Sequence, residues 1–198
     1  MEEFEKLCRK LEHYETPKWA VEAILKKVIL TEQVIDPCAG TGVLTKSALD
    51  DGYCCYPLDI YDFGCDRVEI YDWLSKENKF NWLVRGNTVL MNPPFSKACE
   101  FIEKSFEQGA RKVLCFQRFS WLESKDRREF WNKYPPKTVH LCAERATCYR
   151  HDIPINARGK RYNPETGKEL SSSPTAHAWF EFERDYNGSM IIERLYKD

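Results

Sequence analysis

The chain lacks any apolar run approaching ~18 residues, so a membrane-spanning helix is excluded. It also lacks a charge excess: 30 Lys and Arg face 31 Asp and Glu, a formal net charge of −1 in 198 residues. Global charge gives no pull toward polyanions, and any nucleic-acid contact must come from a local patch. A leading apolar segment is missing too, because Met1-Glu2-Glu3-Phe4-Glu5-Lys6 is not a signal peptide. There is no internal repeat and no low-complexity tract. Cysteine is plentiful at nine, but an odd count without a leader points to reduced thiols and a cytoplasmic setting. Hydrophobic residues make up 42% and aromatics 14%, enough for a core and one domain.

Periodicity sorts the chain into alternating strands and helices. Thr16 and Pro17 read as an N-cap and first helical position, and Val21, Ile24, Leu25 and Val28 follow on one face. Gln33–Asp36 reads as a strand, Pro37–Gly42 as a small-residue loop and Val43–Leu49 as a helix. Tyr53–Leu58 is the next strand, ending near Asp59, while Tyr61–Lys79 has no clear pattern. Thr88–Met91 is an apolar strand that stops at Asn92-Pro93-Pro94-Phe95. Ser96 then caps a helix with Ala98, Phe101, Ile102 and Phe106 on one face and Gly109 at its end. Lys112–Phe116 is a strand, Glu123–Lys133 a helix and Thr138–Cys142 a strand. Arg150–Pro174 is polar, locally basic and loop-like. Ala178–Glu183 and Ser189–Leu195 are late strands joined through Asn187-Gly188, a hairpin signal. The expected architecture is α/β: a doubly wound, mostly parallel sheet with an antiparallel C-terminal hairpin at its edge. Ligands of such sheets sit beyond the carboxyl ends of the strands, where Asp36, Asp59 and Asn92 all fall.

Two stretches carry chemistry. Two consecutive prolines have no N–H groups, and their carbonyls are left without ladder partners. Asn92 adds a side-chain carbonyl and Phe95 an aromatic face. Together they suit an exocyclic amine on a planar group, with two acceptors for its N–H bonds and a ring to stack upon. The plainer alternative is a structural turn, since Asn-Pro starts many turns. Upstream, glycines in Asp36-Pro37-Cys38-Ala39-Gly40-Thr41-Gly42 allow a tight turn and close approach of a ligand. This is neither a complete G-x-G-x-x-G fingerprint nor a P-loop, so a phosphate cradle is disfavoured. Asp36 suits a cationic or hydroxyl-bearing ligand, and Asp59 is placed to accept from ribose hydroxyls.

The Asp-Pro-x-x-Gly-Thr-Gly loop followed by Asn-Pro-Pro-Phe resembles the amino-methyltransferases that use S-adenosylmethionine. These methylate adenine N6, cytosine N4, some RNA bases or a glutamine amide. Tyr14-Glu15-Thr16-Pro17 resembles the N-terminal motif of the adenine-specific DNA members, and the motif order resembles their gamma arrangement. The definite motifs span residues 14 to 120. The resemblance implies a class I methyltransferase (Rossmann-like) fold and S-adenosylmethionine as cofactor. It places Thr16 near the methionine carboxylate, and Asp36, Ala39, Gly40 and Gly42 around the methionine and ribose. It gives Asp59 the ribose hydroxyls and Ile60 the adenine face. Asp72, in Tyr71-Asp72-Trp73-Leu74, takes the adenine amine, with Asp62 and Asp66 as competitors. Asn92 and the Pro93 carbonyl become the catalytic acceptors, and Phe95 the stacking ring.

His140, Cys142, Cys148 and His151 match no common zinc spacing, and no metal site is expected. Arg118, Lys125, Arg127 and Arg128 follow a strand end, and Arg158, Lys160, Arg161 and Lys168 lie in the long loop. Either group could hold phosphates, or simply form a solvated face beside neighbouring acids. The expected activity is methylation of adenine N6 in DNA. The alternatives are an RNA base, a protein glutamine, a non-catalytic binding module and a nicotinamide-dependent dehydrogenase. A chain this short leaves little room for a dedicated sequence-recognition domain; the expectation is low specificity, or recognition by the 150–174 loop over the substrate or by a partner chain.

Overall fold

A computed structural model describes residues 2–172 and 174–197. Six α-helices are described: α1 (Glu2–Lys10), α2 (Lys18–Lys27), α3 (Val43–Asp50), α4 (Asn81–Val84), α5 (Ala98–Glu107) and α6 (Arg128–Lys133). The strands are β1 (Tyr14–Glu15), β2 (Gln33–Asp36), β3 (Cys54–Asp59), β4 (Glu69–Ile70), β5 (Thr88–Met91), β6 (Lys112–Arg118), β7 (Thr138–Cys142), β8 (Tyr149–Arg150), β9 (His177–Glu183) and β10 (Ile191–Leu195). Eight of them form one sheet in the order β10-β7-β9-β6-β5-β2-β3-β4, and β1 pairs with β8 apart from it. All pairs in the large sheet are parallel except those of β9, which runs antiparallel to β6 and β7.

The pattern follows from burial on both faces. Every residue of β5 is buried, so it reads as a continuous apolar run without alternation. Side chains still alternate between two cores. Val34, Leu90, Leu114, Phe116 and Trp179 pack against Val21, Ile24 and Leu25 of α2 and Leu44 and Ala48 of α3. Ile35, Val89, Val113 and Phe180 pack on the other side with Trp73, Leu83, Phe101, Ile102, Phe106 and Trp121. Each such fully buried side chain contributes about 1.5–3 kcal/mol.

Chain order reverses between β2 and β5. The chain runs outward through β3 and β4 on one side and through β6 on the other, which leaves a crevice beyond the ends of β2 and β5.

Several local expectations change. The two late strands form, but they do not pair as a hairpin. β7 lies between them, and β10 pairs in parallel with β7. Six of the seven β9 residues are buried, so β9 takes an interior slot with a neighbour on each side. The half-exposed β10 is left at the edge. Helix α2 starts at Lys18, not Pro17: Pro17 has ψ 127°, and Thr16 makes no capping bond. Phe95–Lys97 is a 3-10 turn ahead of α5, so Ser96 is not its cap. The helix expected over Glu123–Lys133 is one 3-10 turn, Lys125–Arg127, and the six-residue α6.

Candidate active site

The glycine loop is held from behind by two carboxylates. Asp36, at the end of β2, is completely buried; it accepts a hydrogen bond from Thr45 Oγ1 at 3.0 Å and one from the Cys38 N–H at 3.4 Å. Burial pushes its carboxyl up to about 7, against those two hydrogen bonds. Asp59, at the end of β3, accepts from the N–H groups of Gly40 at 2.8 Å and Tyr61 at 3.1 Å. Burial raises Asp59 as well, and its backbone donors oppose the shift. Two glycines are needed for this turn. Gly40 has φ +56°, and a Cβ there would meet His13 Nε2 at 2.7 Å. Gly42 has φ +84°, and a Cβ would meet Cys65 Sγ at 2.8 Å.

The second wall is the Asn-Pro-Pro-Phe turn after β5. Asn92 Nδ2 donates to the Tyr14 carbonyl at 2.9 Å. That bond uses one of the two amide N–H donors and fixes the orientation of the side chain, and among the described residues its oxygen has no donor. Pro93 is buried, and among the described residues its carbonyl receives no hydrogen bond. The Phe95 ring stacks on Tyr14 at 5.6 Å and 25°, and the Arg118 guanidinium lies 4.7 Å from its centroid.

Residues 11–16 run as a strap across both walls. The Ser96 N–H donates to Glu12 on this strap at 3.0 Å. The long loop in turn holds the strap: β8 pairs with β1, and Glu15 accepts from His151 at 2.6 Å and from Arg161. His13 packs 3.9 Å from the Phe63 ring centroid and 5.1 Å from that of His151. Burial, then the neighbouring His151, lowers His13 to about 4.

Strap and walls enclose a cavity of about 300 Å³, at the lower end of ordinary ligand pockets. Thr16, Ala39, Gly40, Asp59, Ile60, Asp72 and Asn92 all line it. Asp36, Gly42, Pro93 and Phe95 do not; the first two shape the loop from outside the lining. Asp62 and Asp66, the competitors of Asp72, are also outside the lining. His13, Phe63 and Trp73 line the cavity without having been singled out from sequence. Nothing local marks His13 or Phe63, because their meeting depends on how the strap crosses the loop. Among the described residues Thr16 Oγ1 is buried without a partner, an orphan hydroxyl in the cavity wall. The Thr16 hydroxyl, the Asp59 and Asp72 carboxylates and the apolar faces of Ile60 and Phe63 suit a nucleoside bearing an amino-acid tail.

No model of a known protein family matches the sequence, and no curated protein matches it. Solved structures do. A structure described as a putative RNA methyltransferase from Pyrococcus horikoshii superposes with a TM-score of 0.57 at 20% identity, covering 87% of this chain and 88% of the other. A protein described as a predicted O-methyltransferase from Agrobacterium tumefaciens gives 0.58 at 9% identity, covering 90% and 86%. The modification subunit of a putative type I restriction enzyme from Vibrio vulnificus YJ016 gives 0.56 at 14% identity, covering 96% of this chain and 50% of that one. The fold is the class I methyltransferase fold. In that fold the glycine loop after β2 and the turn after β5 flank the crevice where chain order reverses.

Proposed function

We propose that the protein transfers a methyl group from S-adenosylmethionine to an exocyclic amine, and that the amine is adenine N6 in DNA. The orientation of Asn92, a residue of the cavity lining, carries this reading: Tyr14 takes one of its amide N–H groups, which leaves its oxygen to accept. Thr16, Ala39, Gly40, Asp59, Ile60 and Asp72 would hold the cofactor, which supplies an electrophilic sulfonium methyl. Asp36 acts one step back, fixing the loop through Thr45 and Cys38. The Asn92 side-chain oxygen and the Pro93 carbonyl accept the two amine N–H bonds. They would draw the nitrogen toward tetrahedral geometry and free its lone pair from the ring, so that N–C bond formation is matched by cleavage of the sulfonium C–S bond, with the neutral thioether as leaving group and the surplus amine proton released to solvent. Fixed dipoles do this with no reorganisation at the moment of transfer. A base within a duplex must first be flipped out. The chain acts as one domain, with the 150–174 loop (Ser173 lies outside the described residues) contributing to substrate contact, and a partner chain would add sequence recognition. The neighbours' descriptions as a putative RNA methyltransferase and a restriction-enzyme modification subunit support a nucleic-acid substrate.

The test uses methyl-labelled S-adenosylmethionine with DNA, RNA and protein extract in separate reactions. Label in DNA adenine that disappears with Asn92→Ala is the expected result. Label confined to RNA or to glutamine moves the substrate, and cofactor binding without transfer to any pool removes the catalytic reading.

A further inference from the structure

The end of β6 forms a wall that the cofactor cavity does not reach. Arg118, its last residue, is exposed, yet its guanidinium lies 4.7 Å from the centroid of the Phe95 ring. Across the β6–β9 pair Arg118 stands opposite His177, so the two side chains share a face. His177 is buried, stacked on Phe116 at 5.4 Å and tilted toward Phe95 at 6.2 Å. Burial, and then the Arg118 charge, lowers His177 to about 4, so it adds no second positive charge at neutral pH. Gln117, the adjacent residue of β6, projects to the opposite face of the sheet and takes no part in this wall.

Arg118 therefore places a planar cation on the one ring of the Asn-Pro-Pro-Phe turn available for stacking. Guanidinium groups rest on aromatic faces and also grip phosphate through a two-pronged donor edge. An aromatic ring cannot hold a guanidinium and a base on the same face at once. We propose that Arg118 is the substrate's phosphate anchor: it rests on Phe95 in the free protein and moves to a phosphodiester flanking the target base when the base stacks there. This inference rests on the reading of a nucleic-acid base as methyl acceptor. It makes Arg118 a specificity determinant, favouring a base within a strand over a free nucleoside or a glutamine amide, which bring no phosphate.

The test is binding of a fluorescent, adenine-containing single-stranded DNA across a salt series, for wild type, Arg118→Met and Arg118→Lys. Arg118→Met is expected to weaken binding about tenfold or more, the loss of one charge-assisted contact. It also lowers the slope of log affinity against log salt by about 0.7. Arg118→Lys keeps the slope and loses part of the affinity, because lysine supplies charge without the fork. Unchanged affinity or unchanged slope in Arg118→Met overturns the proposal, as does a wild type that binds no oligonucleotide. Retained S-adenosylmethionine binding by both variants shows that the fold survives. An RNA strand bound more tightly, with the same Arg118 dependence, keeps the anchor and changes the sugar. Arg118-dependent binding without methyl transfer leaves the anchor in place and removes the catalytic reading, so the two fail separately.

Discussion

Asn92 shows how one hydrogen bond can decide the chemistry of a residue. With one amide N–H donated to Tyr14, the orientation of the side chain is fixed and its oxygen is left to accept. Asn92→Ala is expected to lower the methyl-transfer rate by about 100-fold or more while cofactor affinity, read by calorimetry, stays within a few fold. Gly40 is constrained twice, by φ +56° and by His13. Gly40→Ala should cost about 1–2 kcal/mol from backbone strain alone, and cofactor affinity should fall with it. Asp36 makes stability depend on pH. Its folded pKa is raised to about 7 from an ordinary 3.8. The folded state therefore keeps a proton that the unfolded chain releases. The stabilisation is complete below the unfolded value and is lost as pH rises through about 7. Thermal melts of Asp36→Asn should lose less stability between pH 5 and 8 than the wild type does; a parallel decline in both would remove Asp36 as the cause.

At the scale of elements, the strap at residues 11–16 and the 150–174 loop act together. Glu15 holds the long loop through His151 and Arg161, and Glu12 ties the strap to the Asn92 turn through Ser96. Glu15→Gln should loosen the strap, seen as faster hydrogen exchange at residues 13–16 and weaker cofactor binding. His13 gives the strap the opposite pH sign to Asp36. Its pKa is lowered to about 4 from 6.5, so its contribution is complete above the unfolded value and is lost as pH falls through about 4. Exchange in the strap should therefore rise on acidification through this window, and His13→Phe should flatten the rise. Neither partnership was legible in sequence. Glu15 and Arg161 are separated by most of the chain, and an acid and a base at that distance carry no local signature.

Over the whole molecule, the sheet is tied to α2 by residues such as Trp179, which is fully buried and donates its indole N–H to the Ala20 carbonyl at 2.9 Å. Trp179→Ala should cost about 3–5 kcal/mol by denaturant titration, from lost burial and the cavity left behind. The strands β2, β5, β6 and β7 were legible because buried parallel strands are short apolar runs, and α2 because its apolar positions recur at helical spacing. The hairpin expectation failed at β9, where Asn187-Gly188 is a sound local turn signal but burial on both faces drew the strand between β6 and β7. The sequence by itself determined the alternation of elements, the strand ends at Asp36, Asp59 and Asn92, and the glycine loop, because these rest on periodicity and backbone sterics. Only the tertiary structure decided that Asp36 stands behind the loop, that Tyr14 aims Asn92, that Arg118 lies on Phe95 and that the long loop holds the strap. Those are contacts between distant segments, and their energies depend on packing that no local pattern encodes.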